Sequence, residues 1–366
     1  MSVAVASPSG SMHDSGLDSA STEVYEIDPL TDLRWTDFVH THPKASVFHS
    51  KNWLNALRET YGYEPAALCT SKPGKPITDA VVFCRVTSWL TGRRIVSLPF
   101  SDHCEPLVTA PSDLNAILRR LEEEVRTKHS RYLELRPINE DLCLSSGLRE
   151  CCEYFLHTID LSPSSEALFK SFDKDSAQRR IRRAEREELG YKVGNSEELL
   201  REFFELFVMT RRRHHVPPQP YTWFRHLRRC FGDQLQIRVI SYRGRPISST
   251  LVLKHGRTVT YKYGASDVRF NYLGSMPLLF WRTMTEAKGE GCTRFDLGRS
   301  NTDNIGLIRF KENWGARRVT MKYLQSGGGV RADVSRLVPK LSYALSPMIP
   351  KWSLVVLGKL MYRHVG

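Results

Sequence analysis

Alternating apolar and polar residues mark a series of short strands in the second half of the chain. "LQIRVISY", "RGRPISSTLVLKHG" and "RTVTYKYGAS" follow one another from Leu235 with only tight turns between them. Such alternation is typical of half-buried strands joined as hairpins. After "DVRFNYLGS" the pattern becomes that of a helix, "MPLLFWRTMTEAKGEG", and then returns to a strand, "CTRFDLG". The pattern predicts the order strand, strand, strand, loop, helix, strand over residues 235–298.

A related pattern occurs in the first half of the chain. "GKPITDAVVF" begins at Gly74 and "GRPISSTLVL" begins at Gly244, and each has a glycine, a basic residue and a proline before an alternating strand. Strand-like stretches precede and follow both of them. The two stretches therefore indicate an internal repeat, in which two units with mixed sheets follow one another. The predicted fold class is α/β with mixed sheets.

The sequence also predicts where the units begin and end. Residues 1–23 are small and polar and predict a disordered tail. A helix-capping serine and a proline near residue 161 favour a first domain over 24–160 and a second over 161–326. Residues 327–366 are predicted to be a linker and an amphipathic tail. The stretch "WSLVVLGKLMY" is too short to span a bilayer, so it lies either in a membrane interface or on the protein body.

Two segments carry concentrated basic charge. In "SAQRRIRRAEREELGYKV" a narrow apolar stripe is surrounded by arginines, which fits either a solvated helix or a helix that faces phosphate. The helix "EELLREFFELFVMTRRRHHV" ends in Arg212, His214 and His215, which are candidate substrate-binding residues. Basic residues at this position also complement a helix dipole, so a purely structural role stays open.

Composition narrows the class of partner. The 366 residues carry a formal net charge of +13, which implies an acidic partner such as a phosphate-bearing metabolite, RNA or an anionic membrane. The eight cysteines form no C-x-x-C pair, which predicts free thiols in a reducing cytoplasm and no metal site.

The stretch from Tyr261 to Ala316 carries a resemblance to a known family. It contains an aromatic strand ending "YGAS", an arginine-led loop, a helix with A-x-x-x-G, the strand "FDLG" and the segment "FKENWG". These features resemble the Fem-type subgroup of the GNAT acyltransferase superfamily and its BioF2-like relatives, which are associated with exopolysaccharide and exosortase loci. "SLPFSDHCEPL" in the first half is also similar. The resemblance implies a tandem pair of GNAT-like domains, of which the first is a degenerate copy and the second is catalytic.

Acyl transfer to an amine requires a stabilised oxyanion and a route for the amine's proton, and the candidate residues follow from that. By resemblance, Lys311 is the lysine of the F-K pair and would stabilise the oxyanion or hold a phosphate. Asp296 would orient a neighbouring cation or accept the proton, and Tyr263 completes the predicted catalytic set. The predicted cofactor-binding residues are Arg269, Gly274, Ser275 and Arg299. The predicted substrate-binding residues are Asp102, His103, Arg212, His214, His215, Tyr261 and Trp314.

The sequence therefore predicts a cytoplasmic N-acyltransferase that acts on an amine of a cell-envelope or exopolysaccharide precursor, nucleotide- or lipid-linked. Acyl-coenzyme A is the preferred donor, because the basic segment 173–190 forms one helix and lacks the long hairpin of Fem transferases. An aminoacyl-tRNA donor with a peptidoglycan precursor as acceptor is the alternative. A non-catalytic RNA- or membrane-binding protein is the second alternative. No DNA partner is predicted, and peripheral contact with the inner membrane stays open.

Overall fold

The computed structural model describes residues 22–139, 143, 147–327 and 351–365. The tail predicted over residues 1–23 lies almost entirely outside the described residues, as does most of the predicted linker. In the described residues the alternating stretches form strands and the amphipathic stretches form helices, and the resulting fold is a mixed α/β fold.

Twelve strands form one continuous sheet. They are β1 (Tyr25–Ile27), β2 (Glu64–Cys69), β3 (Ala80–Ser88), β4 (Gly92–Val96), β5 (Leu133–Leu135), β6 (Arg149–Asp160), β7 (Leu189–Gly194), β8 (Leu235–Tyr242), β9 (Arg245–His255), β10 (Thr258–Ser266), β11 (Arg294–Asn301) and β12 (Arg317–Ser326). Their order across the sheet is β1-β2-β3-β4-β5-β12-β6-β11-β10-β9-β8-β7.

Ten helices cover the two faces of this sheet in the described residues. They are α1 (Arg34–Thr41), α2 (Lys51–Tyr61), α3 (Pro111–Thr127), α4 (Ser165–Ser171), α5 (Arg179–Ala184), α6 (Glu197–Arg213), α7 (Tyr221–Phe231), α8 (Ser275–Gly289), α9 (Ile305–Glu312) and α10 (Lys351–Val365).

The strand order shows that the two halves are built alike and exchange their last strands. In each half an antiparallel run leads to a parallel pair, β4 with β5 in the first half and β10 with β11 in the second. The last strand of the first half, β6, pairs with β11, and the last strand of the second half, β12, pairs with β5. This arrangement confirms the tandem architecture, whereas the domain boundary at residues 160 and 161 stays a prediction.

The core on one face of the sheet is shared by both halves. Trp53 of α2 meets Trp223 of α7 edge to face, with ring centroids 5.3 Å apart, and both side chains are fully buried. Burial of large aromatic surface is the dominant stabilising contribution in such a contact. The two halves are therefore held in a fixed relation, which allows one half to contribute side chains to a site in the other.

The basic segment differs from the single helix that the sequence predicts. A π-helical turn over Lys174–Gln178 leads into α5, which has only six residues, and the chain then enters β7 at Leu189. Pairing of β7 with β8 explains the early end, because the hydrogen-bonded sheet edge offers the backbone partners that a longer helix would otherwise supply.

Helix α10 packs on the protein body. The Tyr63 hydroxyl donates to the carbonyl of Tyr362 at 3.0 Å, and a Cβ added at Gly358 would lie 1.9 Å from the carbonyl oxygen of Pro218. Glycine is thus the residue that this close approach requires. Within the described residues, no helix is both long and apolar enough to cross a bilayer.

Candidate active site

A wedge opens where the parallel strands β10 and β11 stop pairing. Their pairing runs from Thr258 with Arg294 to Thr260 with Asp296, and both strands are irregular immediately afterwards. The irregularity in β10 falls at Lys262, between Tyr261 and Tyr263. Bulges of this kind redirect a side chain and end pairing. Lys262 was not among the predicted site residues, although a lysine between two tyrosines of a predicted strand is visible in the sequence.

A loop from the first half fills this wedge. The Nζ of Lys262 donates to Oδ2 of Asp102 at 2.7 Å, and Nε2 of His103 lies 3.1 Å from Oδ2 of Asp296. Asp102 also faces Gly298, where an added Cβ would lie 3.2 Å from the Asp102 carboxylate. Gly298 has a φ of +68°, so the turn and the close approach both favour glycine. Two residues predicted to bind substrate therefore lie inside the site predicted to be catalytic.

The loop holds an unusual backbone conformation. Leu98 and Phe100 have φ values of +47° and +59°, which non-glycine residues rarely adopt. Nη1 of Arg136 donates to the carbonyls of Leu98 and Ser101 at 2.9 and 3.1 Å, which holds the loop in place. Such local strain persists only where surrounding contacts over-determine it, and it clusters at functional sites.

Lys311 is buried at the junction of the two halves. Its side chain is 3% exposed, and its Nζ donates to the carbonyls of Gly298 and Arg299 at 2.7 and 3.0 Å. An ammonium group has three N–H donors, so one remains for a further acceptor. Burial lowers the pKa of Lys311 to about 8, although Asp102 and Asp296 oppose this shift. The ammonium is therefore a charged donor in a poorly solvated place at neutral pH.

The charges of the site are nearly balanced. Three cations, Lys262, Arg299 and Lys311, surround the carboxylates of Asp102 and Asp296, which leaves one excess positive charge when His103 is neutral. Burial alone would raise the pKa of Asp102, but Lys262 and Arg299 outweigh it and lower that pKa below its usual value. Excess positive charge in a desolvated site favours negative charge that develops during a reaction.

Arg299, which was predicted to bind the cofactor, belongs to this cluster. Its guanidinium lies 4.0 Å from the ring centroid of Tyr154, and its Nε lies 4.0 Å from Oδ1 of Asp102. A cation held on an aromatic face keeps its charge at little solvation cost. Arg299 therefore contributes positive charge beside Asp102 in the candidate site.

The loop before α8 does not form an open phosphate cradle. A Cβ added at Gly274 would lie 2.4 Å from the carbonyl oxygen of Arg180, because α5 covers this end of α8. Ser275 is buried, and Pro277 removes one of the amides that a helix N-terminus normally offers. Arg269 is engaged by Asp267 at 2.6 Å. The geometry disfavours coenzyme A binding by Arg269, Gly274 and Ser275, and this assignment stays a prediction.

Three of the aromatic residues predicted for the site pack against the core. Tyr263 accepts a hydrogen bond from Trp223 Nε1 at 2.9 Å, and burial raises its pKa, so its hydroxyl stays protonated. Trp314 is 2% exposed and stacks on Phe280 with ring centroids 5.2 Å apart, and its predicted role in substrate binding stays a prediction. Tyr261 also packs against Phe280, at 4.8 Å.

The basic end of α6 lies at the carboxyl end of β10. Thr210 Oγ1 accepts from the amide of Ser266 at 3.0 Å, which sets Arg212, His214 and His215 at the same edge of the sheet as the wedge. No contact joins them to Lys311 or Asp296 among the described interactions. Their predicted role in substrate binding therefore stays a prediction.

A buried histidine beneath Lys311 was not predicted. His157 of β6 is fully buried, and neither ring nitrogen has a hydrogen-bond partner among the described residues. Burial, together with Lys311 and Arg318, lowers its pKa to about 4. No local pattern in "YFLHTID" indicates this placement, because it depends on α9 packing across β6.

Known proteins share this sequence and fold. Residues 173–312 match the family model for an acetyltransferase (GNAT) domain. The UDP-N-acetylmuramoylpentapeptide-lysine N(6)-alanyltransferase of Weissella viridescens is 29% identical over 110 residues, which are 30% of this chain and 30% of that protein. The match thus spans less than a third of that relative.

Solved structures extend the likeness to most of the chain. The crystal structure of FemX has a TM-score of 0.66 at 15% identity, covering 82% of this chain and 96% of that one. The structure of L-PGS from Bacillus licheniformis has a TM-score of 0.50 at 15% identity, covering 80% and 91%. Residues 173–312 thus match a GNAT acetyltransferase domain, and the chain as a whole shares the fold of FemX.

Proposed function

We propose that this protein is an N-acyltransferase that moves an acyl group from an activated donor to a primary amine of a cell-envelope or exopolysaccharide precursor. The observation that carries the proposal is the position of Lys311, buried between the two halves beside the His103–Asp296 pair. A charged donor can stabilise the oxyanion, and an imidazole oriented by a carboxylate can accept the proton that the amine loses.

The proposed reaction is the aminolysis of an activated ester or thioester. The amine nitrogen forms a bond to the donor carbonyl carbon, and the bond from that carbon to the leaving oxygen or sulfur breaks. His103 takes the proton that the amine loses and returns a proton to the leaving atom. Asp296 orients His103, since one carboxylate oxygen faces Nε2 and the other accepts from the amide of Gly298 at 2.7 Å.

The remaining N–H of Lys311 is proposed to stabilise the oxyanion. Its ammonium is already fixed by two carbonyl oxygens, so little reorganisation is needed when negative charge develops. Removing one such donor typically lowers kcat by about 100- to 1000-fold. Lys262, held by Asp102, adds positive charge on the opposite side of the wedge.

Two observations support an aminoacyl ester on tRNA over acyl-coenzyme A as the donor, which reverses the preference from sequence alone. First, α5 covers the N-terminal end of α8, where a pyrophosphate would otherwise meet free amides. Second, α5 presents guanidinium groups to solvent, in a groove lined by Arg179, Arg182, Arg183, Arg186 and Glu187. Guanidinium groups in an open groove suit an RNA backbone.

The acceptor is proposed to be a lysine-like amine on a nucleotide- or lipid-linked precursor. The relative from Weissella viridescens is described as an alanyltransferase that acts on N(6) of a lysine in a UDP-linked pentapeptide. The net charge of +13 supports an acceptor that carries phosphate. An exopolysaccharide precursor remains the alternative acceptor within the same reaction class.

The test is a transfer assay analysed by mass spectrometry. Purified protein is incubated with a lysine-containing UDP-linked peptide or with an amine-bearing polysaccharide precursor as acceptor. Each acceptor is offered a mixture of aminoacyl-tRNAs in one reaction and acetyl-coenzyme A in another. We expect an acylated amine with the tRNA donors. Product formed only from acetyl-coenzyme A would overturn the donor assignment, and no product from either donor on peptide or polysaccharide amines would overturn the activity.

In the same assay Lys311→Ala should lose turnover. Its matched control is Lys322→Ala, because Lys322 lies on β12 and pairs with the exposed Glu150 at 2.6 Å. Loss of turnover in both variants would indicate a general effect of lost charge rather than a role for Lys311.

A further inference from the structure

Four of the nine large apolar side chains that are exposed among the described residues lie on one turn and one helix that contact each other. Among the described residues, Trp89 and Leu90 of the β3–β4 turn are 86% and 59% exposed, and Val356 and Leu360 of α10 are 48% and 63% exposed. Scattered apolar side chains are normal on a surface, whereas a grouped set marks an interaction site.

The turn and the helix form one surface. The ring of Trp89 meets that of His364 edge to face at 5.4 Å, and Thr91 Oγ1 donates to the carbonyl of His364 at 2.9 Å. Val356 and Leu360 precede His364 by two turns and one turn of the same helix, so the outer strip is about 12 Å long. We name Trp89, Leu90, Val356 and Leu360, with the basic residues beside them, the tail surface.

The charged residues of the tail surface are all basic. Lys359 and Arg363 are exposed on α10, and Arg93 is exposed beside the turn. Residues 87–94 and 351–365 contain no aspartate or glutamate. The inner side of α10 is used for packing, since Leu354 is buried and Gly358 and Tyr362 contact the chain at Pro217 and Pro218.

We propose that the tail surface docks this protein on an anionic phospholipid bilayer. A helix with an apolar and basic outer face lies in the membrane interface, and an exposed tryptophan favours the same depth. Basic residues near the surface add attraction to anionic lipids. A second copy of the chain fits less well, because a two-fold contact would bring together two surfaces whose charged residues are all basic.

The tail surface is connected to the candidate active site. The ring of Tyr362 lies 5.8 Å from that of Phe100, which is two residues before Asp102 in the loop that fills the wedge. Docking of α10 on a bilayer would therefore hold the wedge close to the membrane surface. This placement suits an acceptor amine carried on a lipid, and in that respect it rests on the proposed function.

The docking itself is tested without donor or acceptor. The full chain is sedimented with vesicles of phosphatidylcholine alone and of phosphatidylcholine with phosphatidylglycerol. We expect binding to the anionic vesicles that weakens with salt. The variant Lys359→Gln with Arg363→Gln should partition about 30-fold more weakly. The variant Trp89→Ser with Leu360→Gln should lose at least about tenfold.

Leu33→Ser is the control, since Leu33 is 83% exposed but belongs to the start of α1. Thermal unfolding checks that each variant is folded, and a variant that unfolds is replaced by its single substitutions. Failure of the native chain to bind anionic vesicles would overturn the proposal, as would unchanged binding of the Trp89 variant. A concentration-dependent dimer that the same substitutions abolish would also overturn it. If the protein is inactive in the transfer assay but binds anionic vesicles, the proposed function fails and the proposed docking surface is still supported.

Discussion

His103 and Asp296 are 193 positions apart in the chain, yet Nε2 of the histidine lies 3.1 Å from Oδ2 of the aspartate. The first residue comes from a loop of the first half and the second from a strand of the second half. The first half, which was predicted to be a degenerate copy, thus supplies a polar group to the domain that was predicted to hold the catalytic residues. The candidate site exists only where the two halves meet.

Asp296→Asn should lower kcat with little change in the acceptor KM. An amide cannot stabilise an imidazolium, so proton transfer through His103 should be impaired by about 100-fold or more. Steady-state kinetics measure this, and His103→Gln should show a similar loss. If His103→Gln retains native kcat while Asp296→Asn does not, the imidazole is not the proton acceptor.

Lys311→Met should separate activity from stability. With the pKa at about 8, the charged form of Lys311 is disfavoured in the folded state by about 3 kcal/mol relative to the unfolded chain. The unfolded chain holds the proton up to about pH 10. This cost in stability is therefore full below pH 8 and is lost as the pH rises from about 8 to about 10. We therefore expect Lys311→Met to be at least as resistant to urea as the native protein at pH 7, and to be nearly inactive.

The same pKa predicts a limb in the pH profile. If the ammonium of Lys311 stabilises the oxyanion, kcat should fall as the pH rises through about 8. The residual activity of Lys311→Met should lack this limb. A limb that persists unchanged in the variant would assign it to another group.

Asp102→Asn should destabilise the protein at neutral pH. Its pKa is lowered in the folded state, so the carboxylate contributes stability above the usual pKa of an aspartate, and this stability is lost as the pH falls through the lowered pKa. Breaking a buried pair with Lys262 typically costs about 3 kcal/mol. Urea unfolding at pH 7 and at pH 3 measures the difference, which should be large at the first pH and smaller at the second.

His157→Leu should make the protein more resistant to mild acid. The unfolded chain protonates this histidine below about pH 6.5, whereas the folded state does so only near its pKa of about 4. Stability of the native protein should therefore fall across that interval, and the variant should lack this part of the decrease. Equal pH dependence in the two proteins would show that His157 is not neutral in the folded state.

Arg182→Gln with Arg183→Gln should weaken binding of tRNA and leave binding of coenzyme A unchanged. Each lost phosphate contact reduces the salt dependence, so the slope of log affinity against log salt should change by about 1.4. Arg119→Gln with Arg120→Gln, an exposed pair on α3, is the matched control. A similar effect of both pairs would mean that RNA follows net charge rather than the groove on α5.

The sequence by itself determined the order of the elements and the residue types of the site. The strand, strand, strand, loop, helix, strand order over residues 235–298 was predicted correctly, because alternation and helical periodicity are properties of neighbouring residues. The repeat at Gly74 and Gly244 indicated the tandem architecture for the same reason. Lys311 and Asp296 were both predicted to be catalytic, whereas Asp102 was predicted only to bind substrate.

Only the tertiary structure decided which residues meet. The exchange of β6 and β12, the bulge that turns Lys262 into the wedge and the covering of α8 by α5 all depend on contacts between distant segments. Local patterns carry no information about such contacts, because they arise from the packing of complete elements. That packing set Asp102 and His103 of the first half against the strands of the second, and left the tail surface exposed.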